Sequence, residues 1–214
     1  DHYDFMTTFE GLSGALENAD LSIVTLETLA AGREKGYGNY NTTPQILDAL
    51  RAVGVNFVSL ATERALDKGY DGLDITASEL TSRSIGFAGV YPDGTNTGAA
   101  MANIDGVQVA VLAYTYGLSD EGRERTRDDS RGVVAMMDSQ RVVRDITQAR
   151  VDGANIVVVL PHWGTKNRAQ TPDTVQTMAR EMAQAGADVI FGTHPNVAQG
   201  VERLQTVRSD GLTY

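Results

Sequence analysis

The chain has 214 residues, 42% of them hydrophobic, and its 18 Lys and Arg stand against 28 Asp and Glu for a formal net charge of −10 at pH 7. That length and composition suit one soluble domain over residues 1–214, and the acidic balance excludes a nucleic-acid role, since phosphate would repel it. The absence of Cys excludes thiolate catalysis, zinc–thiolate sites and disulfides, and no apolar run reaches the ~20 residues that cross a bilayer, nor does a signal-like segment open the chain.

Short apolar runs alternate with amphipathic segments from one end to the other. Leu21–Leu26 reads as a strand, Pro44–Val53 as a helix with Pro at its start, and Val55–Ala61 as a second strand. The stretch LATERALDKGYDGL, Leu60 to Leu73, then places Glu63, Arg64, Asp67 and Lys68 at that strand's tip, as a catalytic loop or as a solvated turn. A helix follows at Gly72–Ser82, with strands at Ile85–Ala88 and Val107–Ala113. Tyr116 to Val133, which contains the charged run EGRERTRDD, has no apolar period and reads as a long mobile loop, a lid or binding segment. Ser139–Val151 is helical, Ile156–Leu160 a strand, Thr171–Ala185 a helix capped by Thr171 and Pro172, and Val189–Phe191 a last strand. Three joins, AVGVNFV, VDGANIVVV and QAGADVIF, put Gly just past a helix. The strands are continuously apolar, which implies burial on both faces and an α/β fold with a mostly parallel sheet.

Against that scaffold four ligand-type side chains emerge just past strands: Glu27, Glu63, His162 and His194. Open α/β sheets place their sites at this edge. One histidine in such a place is an ordinary hydrogen-bonded residue; four convergent groups read as a shared site. Imidazole and oxygen donors without sulfur suit Mn, Fe, Zn, Mg or Co. Trp163, Tyr114 and Tyr116 flank these positions and serve either packing or a pocket. Asn96 in GTNTG reads as turn chemistry, and GYGNYNTTP, residues 36–44, as a substrate-approach loop or an ordinary surface loop.

The segments ADLSIVTLET, GYGNYNTTPQILDALRAVGVNFVSLATERALDKG, GVQVAVLAYTYG, VVVLPHWGT and GADVIFGTHPNVAQGVE, in that order, resemble the bacterial capsule-biosynthesis family CapA, also called PgsA, of poly-γ-glutamate synthesis. The resemblance covers nearly the whole chain. It implies the fold of the calcineurin-like metallophosphoesterases, a four-layer α/β/β/α sandwich with a dinuclear metal site at strand ends, here truncated at both ends. The family's opening Gly-Asp motif would lie before Asp1 and its closing Gly-Asn-Phe strand beyond Tyr214. It also implies the extracellular face of a bacterial membrane, with poly-γ-glutamate or a similar anionic polymer and other capsule-synthesis membrane components as partners.

The resemblance is uneven at the site. Thr25-Leu26-Glu27 stands where the family reads Asn-Leu-Glu, and His162-Trp163-Gly164 is intact. Thr62-Glu63-Arg64 stands where the family reads Asn-Asn-His, and His194-Pro195-Asn196 where it reads His-Pro-His. By analogy, one metal takes Glu27, Glu63, His162 and His194. The other would need the missing N-terminal Asp and a His in place of Asn196, so one metal site at most is expected. Arg64 stands where the family's catalytic His would act beside His162 and His194; arginine cannot release its proton near neutral pH. It and Lys166 could instead bind an anion, with Tyr116 at the rim, or neutralise carboxylates left by a lost metal. Two function classes stay open: a degenerate component that binds an anionic polymer, and an active metal-dependent hydrolase of a phosphoester or amide.

Overall fold

The computed structural model describes residues 3–32, 40–95 and 98–205. Asn96 and residues 36–39 of the GYGNYNTTP stretch lie outside them. The fold is mixed α/β, and its contacts divide it into two compact units, Asp1–Asn96 with Gly117–Val134, and Thr97–Tyr116 with Ala135–Tyr214.

The first unit opens with short turns of helix, α1 (Met6–Phe9) and α2 (Ser13–Leu16), followed by β1 (Ile23–Thr25), α3 (Gln45–Ala52), β2 (Phe57–Ser59), α4 (Gly69–Ser82) and β3 (Gly86–Ala88). The three strands run parallel in the order β1-β2-β3. α3 starts where Pro44 presets φ at −58°, and it ends at Gly54, whose φ of +102° is a left-handed stop that a Cβ would resist. α3 buries Leu47 and Leu50, and α4 buries Leu73 and Leu80. Such side chains contribute ~1.5–3 kcal/mol each when fully removed from water.

The segment after residue 116 differs from its expected reading as a loop without structure. It contains α5 (Asp120–Thr126), whose N-cap Ser119 accepts the amide of Gly122 and whose first and last turns carry Asp120, Glu121, Arg123 and Arg125. The charges lacked an apolar period because only Gly122 and Thr126 of this helix are buried. They have a helical period instead, Arg125 with Glu121 at 2.9 Å and Arg123 with Asp120 at 2.8 Å. The chain is then pinned by Asp129, buried, whose carboxylate accepts the amides of Val133 at 3.0 Å and Val134 at 2.8 Å.

The second unit comprises β4 (Ala100–Ile104), β5 (Val107–Thr115), α6 (Ser139–Val151), β6 (Ile156–His162), α7 (Asp173–Ala185) and β7 (Val189–Ile190). Strand order is β4-β5-β6-β7, antiparallel at the first pair and parallel afterwards. β4 has no counterpart in the sequence reading, because AMANI lacks β-branched residues until its last position. A two-residue turn makes it a strand: Asp105 and Gly106 both have positive φ, 49° and 90°, the hairpin geometry that matches strand twist. α6 packs on β5 and β6, and α7 on α6 and β7. Thr171 does not cap α7; Pro172 holds the N-cap position without a side-chain bond, and the Thr171 hydroxyl donates to Gln199 at 3.3 Å. No helix among the described residues is long and apolar enough to cross a membrane.

Candidate functional site

Each sheet presents ligand-type residues beyond the carboxyl ends of its parallel strands. In the first unit Glu27 follows β1 and is half-buried, while Glu63 follows β2 and is 8% exposed. The run from Glu63 to Lys68 is packed rather than solvated, although Arg64 pairs with Glu63 and Asp67 as the turn alternative expected. Asp67 is 0% exposed; it takes a very short hydrogen bond from the Ser119 hydroxyl and a 3.3 Å ion pair from Arg64. Ser119 also donates its amide to the Glu63 carbonyl at 2.8 Å. Lys68 reaches Glu121 at 3.8 Å.

Arg64 is therefore not a free cation. Its Nε lies 3.4 Å from Glu63 and its Nη1 pairs with Asp67, while the guanidinium stacks on the Tyr40 ring at 3.9 Å. Burial works against its charge, but Asp67 and Glu63 outweigh burial and hold its pKa above the ordinary arginine value. For Asp67 burial is the largest influence and raises the carboxyl pKa, against the lowering effects of Ser119 and Arg64.

In the second unit His162 ends β6 at 1% exposure, and His194 follows β7 at 6%. Their rings approach edge to face with centroids 4.8 Å apart, and His194 Nδ1 faces His162 Nε2 at 3.2 Å. His162 Nδ1 faces the Thr193 hydroxyl at 3.1 Å. His194 has a φ of 97°, a left-handed backbone that a side chain with a Cβ adopts at a cost, and such strain gathers where geometry serves function. Tyr116, half exposed, lays its ring against both imidazoles, 4.9 Å from His194 and 6.4 Å from His162. Trp163 is buried and packs over Gly192, where a Cβ would meet the indole Nε1 at 2.4 Å. Tyr114 belongs to the core: it is fully buried and donates to Asp145 at 2.8 Å.

The remaining expected site residues are less enclosed. Asn196, with a φ of 59°, is exposed, and so is Lys166 in the loop after β6. Asp67 stands in the charged run already marked after β2, Tyr40 in the GYGNYNTTP stretch and Ser119 in the segment after residue 116, whereas Thr193 gave no signal in the sequence. The His pair fits a divalent ion by its chemistry: two buried imidazole nitrogens aimed at one another, borderline donors with no thiolate nearby.

The comparisons with known proteins agree with this architecture. The chain is similar to the PGA biosynthesis protein CapA of Bacillus subtilis, 28% identical over 163 residues, covering 75% of this chain and 42% of that relative; it thus spans less than half of the relative's length. Among solved structures it resembles the sulfate thiohydrolase SoxB of Thermus thermophilus, at 15% identity, a TM-score of 0.51, and coverage of 88% of this chain and 33% of that one. The calcineurin-like phosphoesterase YfkN of Bacillus subtilis matches at 18% identity and a TM-score of 0.47, over 72% of this chain and 48% of that one. The mixed α/β fold is the one expected, and it is shared with the sulfate thiohydrolase. Residues 1–209 match the family described as bacterial capsule synthesis protein PGA_cap, and the chain belongs to that family.

Proposed function

We propose that the chain, acting as one domain over residues 1–214, is a degenerate metallophosphoesterase-like component of capsule or poly-γ-glutamate synthesis. It works at the extracellular face of the membrane beside other capsule-synthesis membrane components and binds an anionic polymer such as poly-γ-glutamate without cutting it. The observation that supports this best is the contrast between the preserved imidazole pair, His162 and His194, and Arg64 at the position of a catalytic His. Arginine keeps its proton, so general acid work there is lost, and Glu63 and Asp67 already hold its charge.

His162 and His194 have the donor chemistry to hold one divalent ion, Mn, Fe, Zn or Mg. By the family resemblance Glu27 and Glu63 would add carboxylates, and Asn196 occupies the place of the lost His. Bound there, the ion supplies a concentrated positive charge to which a carboxylate or phosphate can bind. The chain's own residues do the rest: the imidazoles fix the donor geometry, Lys166 adds an exposed cation, and the Tyr116 ring walls the pair. Arg64 offers an anion only the charge that its two carboxylates leave. A chain of net charge −10 would otherwise repel a polyanion.

The second reading, an active hydrolase, is favoured by the left-handed His194 beside a buried partner. One experiment separates the two. The purified protein with added Mn should retain poly-γ-glutamate and leave its length unchanged, with retention falling about 10-fold or more in His162→Ala or in chelator, as losses of ligand geometry do. Shortening of the polymer, or Mn-dependent phosphodiester hydrolysis that disappears in His162→Ala, would establish the hydrolase instead.

A further inference from the structure

We infer that Thr193 is a positioning residue for His162: its hydroxyl accepts the Nδ1 proton and holds the ring with Nε2 unprotonated and turned toward His194. The inference rests on the metal-site reading above for its purpose, although the hold on the ring is a property of the second unit alone.

The Thr193 amide donates to the Pro161 carbonyl at 3.0 Å, and the Thr193 carbonyl accepts the Trp163 amide at 3.2 Å. The main chain of Thr193 is thus tied to both flanks of His162, and the two residues form a parallel bridge beyond the end of β7. A β-branched side chain has few χ1 choices. Register therefore delivers the hydroxyl oxygen to 3.1 Å from His162 Nδ1. Gly192 makes that register attainable, because any Cβ there would collide with the Trp163 indole.

A neutral imidazole carries one N–H and one lone pair, and the partner of one nitrogen decides which end can ligate. With the proton on Nδ1, His162 Nε2 presents its lone pair toward His194 Nδ1, 3.2 Å away. With the opposite tautomer Thr193 would donate, Nε2 would carry the proton, and His162 could not bind a cation from that side. Ligating histidines are commonly oriented in this way by a partner on their other nitrogen, and removing such a partner weakens metal binding by ~10–100-fold. Nothing about a Thr preceding a His announces the role. It arises because Thr193 contacts not its neighbour in sequence but a ring 31 residues away.

The test compares Thr193→Val, which keeps branching and volume but removes the hydroxyl, with Thr193→Ser, which restores it. Nitrogen-15 shifts of the imidazoles, simplified by the chain's three histidines, report the tautomer in metal-free protein; calorimetry with Mn reports affinity. In wild type and Thr193→Ser, His162 should be the Nδ1–H tautomer. In Thr193→Val it should become a mixture, with Mn affinity about 10–100-fold lower. The single Trp163 reports by fluorescence that the packing beside His162 is intact. An unchanged Nδ1–H tautomer in Thr193→Val overturns the inference. A tautomer change in a protein whose wild type binds no Mn supports the hold of Thr193 on the ring and overturns the metal reading alone.

Discussion

Asp67 sits in a run with Glu63, Arg64 and Lys68 that on paper is a solvent-facing cluster, and it is fully buried. Two partners make this tolerable, the Ser119 hydroxyl and the Arg64 guanidinium, since a buried carboxylate needs both charge and hydrogen-bond compensation. Burial nevertheless prevails and raises its pKa. A carboxyl whose folded pKa exceeds its unfolded value is favoured by folding in its protonated form. Its contribution to stability is therefore present at low pH and is lost as pH rises from the usual carboxylate range through the raised folded value. Asp67→Asn, which cannot titrate, should gain stability relative to wild type across that window, measured as the difference between urea midpoints at a series of pH values. Parallel curves would mean that Asp67 is not the buried acid described.

The segment carrying α5 shows what a polar element needs to stay folded. Its helix contributes little burial, so order comes from its ends: Ser119 caps the start, the left-handed Arg127 closes the end at φ 53°, and Asp129 takes the two amides beyond it. The Tyr70 hydroxyl adds contacts to the Thr126 carbonyl and the Asp129 carboxylate at 3.3 and 3.4 Å. Asp129→Ala would leave two amides unmet, at ~1–3 kcal/mol for each buried group left without a partner. Hydrogen exchange should then speed up at Val133 and Val134 while the amides of β5 keep their protection. If those two amides exchange as slowly in the variant as in wild type, Asp129 is not what pins the segment, and the reading of residues 116–133 as a free lid regains ground.

Neither compact unit is one continuous stretch of chain, because residues 97–116 and 117–134 are exchanged between them. β5 is the central partner in the second unit, paired with β4 on one side and β6 on the other. A fragment of residues 135–205 keeps His162, Thr193 and His194 but loses β5, so β6 is left without its longest neighbour. It should be largely unfolded by circular dichroism and should not bind Mn; a folded, Mn-binding fragment would show that the His pair needs only β6, β7 and their helices. The sequence by itself determined the α/β class, the parallel strands and the four tip residues Glu27, Glu63, His162 and His194, since apolar runs, Gly past a helix and a polar residue past a strand are local signals. The family was equally readable, because it rests on ordered motifs. Only the tertiary structure decided that Asp67 is buried rather than solvated, that Thr193 holds a histidine ring and that AMANI is a strand. The first two depend on partners 52 and 31 residues away, and the third on pairing across a hairpin with β5. Contacts made by folding leave no period in the chain, so composition and spacing carry no trace of them.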